Sequence, residues 1–270
     1  MGRRYLLTLI VIVLIGCNEE TKEWVFHGKI ELPEKSRPLA LAKTGEEIWL
    51  SDPEHFRLLK IDLKGKVLDS IMDLKRPMNL DSDNGNLYVP EFLTDTIWVI
   101  EKGIKMPFSI KAKPDAPAGL FVKGDTIAVA DFYNHRIILQ LNSKVYFIGK
   151  EGHKKGELYY PTDVKIFDDR IYVADAYNNR VQIFDFSGKV LQVLGDQYGL
   201  RVASAIDLTE DYIAVTDQEN SRVLIYHIDG SLFQTLNSNI NYPTDVLFDG
   251  STLYIANFKE NSVSIYRKNQ

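Results

Sequence analysis

The amino-acid sequence predicts an all-β fold, a six-bladed propeller of four-stranded antiparallel blades. Six times a turn residue is followed, fourteen positions later, by the polar residue that ends a hydrophobic stretch. Successive pairs lie 39, 40, 44, 42 and 40 residues apart. A constant offset within a variable spacing predicts a rigid two-strand core joined by loops of variable length, and a four-stranded repeat of about 40 residues is typical of a propeller blade. The pairs are Pro38 with Asp52, Pro77 with Glu91, Pro117 with Asp131, Pro161 with Asp175, Ala203 with Asp217, and Pro243 with Asn257.

The fourth copy shows the four strands of a blade most clearly. Apolar, β-branched and aromatic residues fill 161–167, 171–175, 180–185 and 189–194, and Gly, Asn and Asp lie between these stretches. This alternation predicts four strands joined by tight turns. Gly65, Gly188 and Gly230 each follow their polar residue by thirteen positions. Glycine there supplies the positive φ that a tight hairpin requires.

The last copy ends too soon, with room for one strand, 262–266, before the chain stops at Gln270. Residues 24–31 read as a strand and precede the first turn residue, as the other fourth strands precede theirs. We therefore expect this N-terminal strand to complete the sixth blade and close the ring. Closure protects edges that would otherwise recruit other chains.

The N-terminus has the pattern of a secretory signal. Arg3 and Arg4 precede an apolar run, 5–15, that is too short to cross a bilayer, and Gly16 and Cys17 follow. The sequence Leu-Ile-Gly-Cys resembles the lipobox of bacterial lipoproteins, in which the cysteine becomes the lipidated first residue. Cys17 is the only cysteine of the chain. We therefore expect a signal peptide at 1–16, a lipidated cysteine and flexible tether at 17–23, and the propeller at 24–270.

The resemblance implies a membrane partner, since several acyl chains on Cys17 would hold the protein at a membrane. The residue after Cys17 is not the aspartate that signals inner-membrane retention in the enterobacterial scheme. Glu19 and Glu20 loosely resemble the export signal of surface lipoproteins. The expected location is the bacterial cell envelope, at the outer membrane, on its periplasmic side or at the surface.

Composition and charge narrow the classes of partner. The whole chain has a net charge of −5, and removal of Arg3 and Arg4 with the signal makes it −7. Mild acidity does not favour nucleic acid, which would select a basic stripe. Removal of the expected signal peptide leaves 254 residues, and closed all-β folds of this size form a single domain. We expect a monomer.

Two motifs resemble the NHL repeat, namely Ala-Asp-Phe-Tyr-Asn-His-Arg at 130–136 and Ala-Asp-Ala-Tyr-Asn-Asn-Arg at 174–180. Pro-Thr-Asp-Val recurs at 161–164 and 243–246. The resemblance covers 24–270 and is strongest in blades three to six. It implies a six-bladed propeller, in a family that includes both enzymes and interaction platforms, so the fold does not choose between them.

The polar residues that end the second strands put five carboxylates on one rim of the ring, and in four blades an arginine follows by five positions. One interpretation is a charged binding rim. The other is an acid–arginine bracket that ties the following loop, since a guanidinium forks onto a carboxylate. Recurrence from blade to blade favours the structural bracket. The residues are Asp52, Glu91, Asp131, Asp175, Asp217, Arg57, Arg136, Arg180 and Arg222.

Polar residues also follow the turn residues by two or four positions, where side chains would reach the central channel. They are Asn79, Asp81, Asp163, Lys165, Asp207 and Asp245. Oxygen ligands from these residues could bind Ca²⁺ or another divalent ion, although no cofactor is certain. The structural alternative is that the aspartates accept hydrogen bonds from neighbouring backbone amides. Lys165 near Asp163 could serve as its counter-ion.

The longest connection between blades, 149–160, opens onto the face that carries the turn prolines. It is basic and aromatic, with His153, Lys154, Lys155, Tyr159 and Tyr160 as binding candidates. Loops on a rigid scaffold commonly carry binding. Amidating and streptogramin lyases of this fold use histidines on the inner face, whereas none of the five histidines here falls in a predicted innermost strand.

Two hypotheses follow. The first is a lipid-anchored, non-catalytic scaffold that binds a protein or glycan on the face carrying the turn prolines. The alternative is a metal-assisted lyase or hydrolase with its site at the channel mouth. Catalytic residues cannot be assigned from the sequence.

Overall fold

Six four-stranded antiparallel sheets form the protein, in a computed structural model that describes residues 22–33 and 35–269. Within each sheet the strands follow one another in chain order, except in the sixth, where the N-terminal strand is outermost. The signal peptide and lipidated cysteine expected at 1–17 lie outside the described residues. The predicted six-bladed propeller is confirmed.

The first three blades run from the innermost to the outermost strand as follows. Blade 1 comprises β2 (Ala40–Thr44), β3 (Glu47–Asp52), β4 (Arg57–Ile61) and β5 (Val67–Ile71). Blade 2 comprises β6 (Asp81–Asp83), β7 (Asn86–Glu91), β8 (Thr96–Glu101) and β9 (Ile104–Pro107). Blade 3 comprises β10 (Pro117–Lys123), β11 (Thr126–Asp131), β12 (Arg136–Leu141) and β13 (Lys144–Ile148).

The remaining blades follow the same order. Blade 4 comprises β14 (Asp163–Phe167), β15 (Arg170–Asp175), β16 (Arg180–Asp185) and β17 (Val190–Leu194). Blade 5 comprises β18 (Ile206–Leu208), β19 (Tyr212–Asp217), β20 (Arg222–His227) and β21 (Leu232–Leu236). Blade 6 comprises β22 (Pro243–Asp249), β23 (Thr252–Asn257), β24 (Ser262–Lys268) and β1 (Trp24–Glu31).

The fourteen-residue offset is a pairing register. Pro117 lies opposite Asp131 in the hairpin of β10 and β11, and Pro243 lies opposite Asn257 in that of β22 and β23. In these two blades the turn residue begins the innermost strand at the point where the second strand ends, and in blade 2 an isolated bridge pairs Pro77 with Glu91. The turn residues and the ends of the second strands lie on the same face of the ring, which we call the mouth face. Short 3-10 turns follow three of the second strands on this face, at Pro53–His55, Phe132–Asn134 and Ala176–Asn178.

The hydrophobic core lies between blades rather than within one sheet. Among the described residues, the buried apolar side chains form six clusters, each shared by two adjacent blades. Second strands such as β15 are buried on both faces, because each face meets a neighbouring blade, and they therefore read as nearly continuous apolar runs. Ile171 and Val173 of β15 are wholly buried in this way, and each such side chain stabilises the fold by about 1.5–3 kcal/mol.

Ring closure by the N-terminal strand matches the expectation. β1 pairs antiparallel with β24 along its length. Trp24 is 2% exposed and packs in the core between blades 5 and 6. Its backbone amide donates to Oε1 of Gln234 at 2.8 Å, and Nε2 of Gln234 donates to the Trp24 carbonyl at 2.8 Å. Strand pairing therefore joins β1 to β24 of blade 6, and the two-way hydrogen bond ties β1 to β21 of blade 5.

Three predicted hairpin glycines, Gly65, Gly188 and Gly230, have φ values of 82°, 84° and 88°. A side chain at Gly65 would also meet the Glu31 carbonyl at 2.4 Å. Among the residues that the structure describes, none lies in a helix with the length and apolar character needed to cross a membrane.

Candidate functional site

The anchor residues, by which we mean the polar residues that end the second strands, are hydrogen-bonded into the fold. Asp175 accepts hydrogen bonds from the backbone amide of Tyr159 at 2.7 Å and from Nδ2 of Asn178 at 3.0 and 2.9 Å. Nε of Arg180 donates to it at 2.7 Å. The carboxylate therefore ties together the loop that enters the blade, the turn after the second strand and the start of the third strand.

The same contacts recur around the ring. In blade 3 Arg136 donates to Asp131 at 2.7 Å, and in blade 5 Arg222 donates to Asp217 at 2.6 Å. In blade 1 Arg57 donates to Asp52 at 2.9 Å.

The two blades that lack the arginine keep the entry contact. Glu91 accepts from the Lys75 amide at 2.8 Å and from the Thr94 hydroxyl at 2.7 Å. Asn257 accepts from the Asn241 amide at 3.0 Å. The anchor residues of all six blades are buried, and these contacts fit a structural bracket rather than an exposed charged rim.

The innermost aspartates join neighbouring blades. Asp163 accepts from the Ile206 amide of blade 5 at 3.0 Å, and Asp245 accepts from the Leu41 amide of blade 1 at 2.7 Å. Asp163 and Asp245 follow their turn residues by two positions. In blades 2 and 5 the aspartate follows the turn residue by four positions, and it makes the same kind of contact. This contact runs from the Val122 amide to Asp81 and from the Phe248 amide to Asp207, each at 2.7 Å.

Asn79 takes part in the same level of the channel as Asp163. Its backbone amide donates to the Ala118 carbonyl at 3.0 Å, and its Nδ2 donates to the Thr162 carbonyl at 3.3 Å. A side chain on Gly119 would meet that carbonyl at 2.6 Å and Oδ1 of Asp163 at 2.9 Å. Glycine is therefore required at the junction of blades 3 and 4 because the backbones approach each other closely.

Lys165 lies among these carboxylates in the central channel. Burial lowers the pKa of Lys165, but Asp163, Asp81, Asp207 and Asp245 together raise it above its usual value. These aspartates belong to four different blades, and the charges of all four act on the one ammonium group of Lys165.

Burial raises the pKa of Asp207 to about 6 against the opposing effect of Lys165. Burial also raises the pKa of Asp245 well above its ordinary value. Across residues 22–33 and 35–269, no three His, Cys, Asp or Glu side chains are arranged to hold a metal ion. A divalent ion in the channel stays a prediction.

The long connection 149–160 is hydrogen-bonded to the third strand of blade 4. Gln182, which is fully buried, accepts from the Gly156 amide at 2.9 Å and donates to the Glu157 carbonyl at 2.7 Å. Lys154 and Lys155 are exposed at its tip. Nδ1 of His153 lies 2.6 Å from Oδ1 of Asn178, and its ring packs 4.7 Å from that of Tyr159. These contacts hold the loop in one conformation on the mouth face.

Tyr160, the last residue of this connection, takes part in a contact that recurs between blades. Its amide donates to Nδ1 of His135 at 3.0 Å, so Nδ1 carries no proton in this contact. At the equivalent position the Val202 amide donates to Oδ1 of Asn179 at 2.9 Å. His135 therefore has the same structural role in blade 3 as Asn179 in blade 4.

Aromatic side chains from three consecutive blades meet at this place on the mouth face. The rings of Phe132 and Tyr160 lie 4.8 Å apart and are tilted by 38°. Tyr133 stands at 74° to Phe132 and 82° to Tyr160. Tyr177 stands at 79° and 62° to the same two rings. Phe92 of blade 2 extends the group, 5.3 Å from Phe132.

We call these four side chains of blades 3 and 4 the aromatic cleft, with Phe132 and Tyr160 as its floor and Tyr133 and Tyr177 as its walls. The floor rings are partly buried, whereas Tyr133 and Tyr177 are 52% and 57% exposed. The sequence prediction included Tyr159 and Tyr160 but missed Phe132, Tyr133 and Tyr177. The available signal was the residue two positions after each anchor, which varies freely from blade to blade and is tyrosine in these two.

Comparison with known proteins agrees with the fold. Residues 158–184 match the NHL repeat. The virginiamycin B lyase of Staphylococcus aureus is 16% identical, with a TM-score of 0.65, over 91% of this chain and 99% of that one. A streptogramin B lyase is 13% identical, with a TM-score of 0.65, over 90% and 97%. The WD40 propeller domain of Doa1 is 15% identical, with a TM-score of 0.63, over 86% and 79%.

No curated protein matches the sequence. At these identities the solved structures share the fold alone, and they include both lyases and a WD40 domain. The NHL match falls on blade 4, which contributes Tyr160 and Tyr177 to the aromatic cleft. The chain is a six-bladed β-propeller that carries an NHL repeat.

Proposed function

We propose that this protein is a lipid-anchored propeller of the bacterial cell envelope that binds a ligand on its mouth face without transforming it. The observation that carries the proposal is the aromatic cleft. Exposed aromatic rings grouped at one place on a surface are typical of binding sites, because they supply large contact area at low entropic cost.

The fold does not require aromatic residues at the walls of the cleft. At the position of Tyr133 and Tyr177, two residues after the anchor, blades 1, 5 and 6 carry Glu54, Glu219 and Lys259. These blades form the same sheets and the same entry contacts to their anchors. The tyrosines are therefore free of the structural demand that fixes the anchors, which supports a role in binding.

A binding role is favoured over catalysis because the carboxylates of the central channel are already hydrogen-bonded within the fold. The carboxylates of Asp163 and Asp245 each accept two backbone amide hydrogen bonds, one of them from the next blade. A carboxylate held in this way serves the fold and is poorly placed to act as a general base. The expected anchor on Cys17 would present the mouth face to ligands at the envelope.

Site-specific photo-crosslinking in living cells tests this proposal. The photoreactive residue p-benzoylphenylalanine replaces Tyr177 in the full-length chain, and in a matched control it replaces Asp169, which is exposed in the turn between β14 and β15 on the opposite face. We expect covalent adducts at position 177 and none at position 169. Adducts at neither position, or at both in equal amount, would contradict a binding role for the mouth face.

A further inference from the structure

We infer that the aromatic cleft binds a carbohydrate, with sugar rings stacked on the exposed rings of Tyr133 and Tyr177. This inference rests on the proposed binding role of the mouth face and names the class of ligand. Its basis is the shape of the cleft, the chemistry of its rings and the limited extent of its apolar surface.

The exposed rings of the cleft suit a ligand with an apolar face. Both walls are steeply inclined to the floor rings, at angles of 62° to 82°. The centroid of each wall ring lies between 5.1 and 6.3 Å from those of both floor rings, so the four rings form one continuous group. A pyranose ring presents C–H groups on its faces, and these are attracted to the negative face of an aromatic ring.

The edges of the cleft are polar, as the hydroxyl groups of a sugar require. The walls are tyrosines rather than phenylalanines, and each phenol can donate and accept a hydrogen bond. His153 lies next to the cleft, because its ring packs on Tyr159, whose centroid is 4.6 Å from that of Tyr160. Nδ1 of His153 lies 2.6 Å from Oδ1 of Asn178, and a histidine ring with its proton on Nδ1 can accept a further hydrogen bond at Nε2.

The extent of the apolar surface argues against a protein partner. The aromatic group spans blades 2 to 4, while the equivalent exposed positions of the other three blades carry Glu54, Glu219 and Lys259. A stable protein interface buries about 800 Å² on each partner and has a continuous apolar centre. A cleft of four rings, with charged residues at the equivalent position of three other blades, is better matched to one or two sugar rings.

The test is binding of the full-length chain, purified in detergent, to an array of neutral and acidic oligosaccharides that includes β-glucan, xylan and polygalacturonate fragments. A random peptide array is probed in parallel. We expect at least one oligosaccharide to bind, with a Kd between about 1 μM and 1 mM, and no peptide to bind through the cleft. Tyr133→Ala and Tyr177→Ala are each expected to weaken binding at least about tenfold, which corresponds to loss of one stacking ring.

Two controls separate stacking from unfolding. Tyr177→Phe keeps the ring and should keep most of the affinity. Tyr146→Ala removes a tyrosine that is 43% exposed on the outer strand of blade 3 and should leave binding unchanged. Failure of every oligosaccharide, binding insensitive to both alanine variants, or tyrosine-dependent binding of peptides would overturn the carbohydrate assignment. Adducts at position 177 in cells would still stand in those cases, so failure of this inference is distinguishable from failure of the proposed function.

Discussion

The Asp175 carboxylate accepts a hydrogen bond of 2.7 Å from Nε of Arg180, and both side chains are buried. The guanidinium also donates to the carbonyls of Lys154 and Glu157. This pair therefore links the second strand of blade 4 to the base of the long loop that precedes it. The loop ends at Tyr160, so the pair helps to position the floor of the aromatic cleft.

Asp175→Ala should destabilise the protein by about 3 kcal/mol or more, because it leaves the Arg180 cation buried without its carboxylate. Asp131→Ala is the matched comparison in blade 3. The Arg136 side chain there is 29% exposed, against 10% for Arg180, and should lose less. Urea unfolding of both variants measures the two changes in free energy. Equal losses, or a larger loss for Asp131→Ala, would contradict the role assigned to burial.

Asp207 should make the folded protein less stable as the pH rises from about 4 to about 6. Its pKa is about 6 in the folded protein against an ordinary value of 3.8, so the folded state binds more protons than the unfolded state in this range. The free energy of unfolding therefore falls with increasing pH and loses a term on the order of 3 kcal/mol. Lys165 and Asp163 are the charged groups that act on it most strongly.

Asp207→Asn should remove that pH dependence while Oδ1 keeps the hydrogen bond from the Phe248 amide. Urea unfolding between pH 4 and pH 7.5 should show a flatter profile for the variant than for the natural protein. Asp211→Asn, at an exposed aspartate of the same blade, is the control and should run parallel to the natural protein. If Asp207→Asn also runs parallel, the titration assigned to the channel is wrong.

Cys17→Ser should release the protein from the membrane fraction. The expected acyl chains on Cys17 supply the membrane affinity, and serine at this position cannot carry them through the same thioether and amine chemistry. Fractionation of cells followed by immunodetection checks the outcome, with Thr21→Ser as a control that should remain in the membrane fraction. Retention of the Cys17→Ser protein in that fraction would contradict the lipoprotein interpretation.

The repeat made most of the fold predictable. The fixed offset between Pro117 and Asp131 is visible in the sequence because these residues pair across a single hairpin. The closing strand at Trp24 was predictable from a missing strand at the other end. The first feature depends on a local sequence pattern and the second on the number of strands in each repeat, and both can be read directly from a sequence.

The contacts between blades could not be predicted in detail. Asp163 contacts an amide 43 residues away and Asp245 contacts one 204 residues away, and nothing local in the sequence specifies these partners. The walls of the aromatic cleft were missed for a related reason. Tyr133 and Tyr177 lie inside the motif that resembles the repeat, where their exposure and proximity become visible only when the blades are placed side by side.

Tyrosine-selective labelling in intact cells and on the purified protein is the most direct test of whether the aromatic cleft is a binding site. Tyr133, Tyr177 and Tyr146 are all about half exposed, and Tyr146 lies away from the mouth face on β13. Relative to Tyr146, we predict that Tyr133 and Tyr177 are labelled severalfold less in cells than in the purified protein, because a ligand covers the cleft. The same labelling ratios in both preparations would contradict a ligand-binding role for the aromatic cleft.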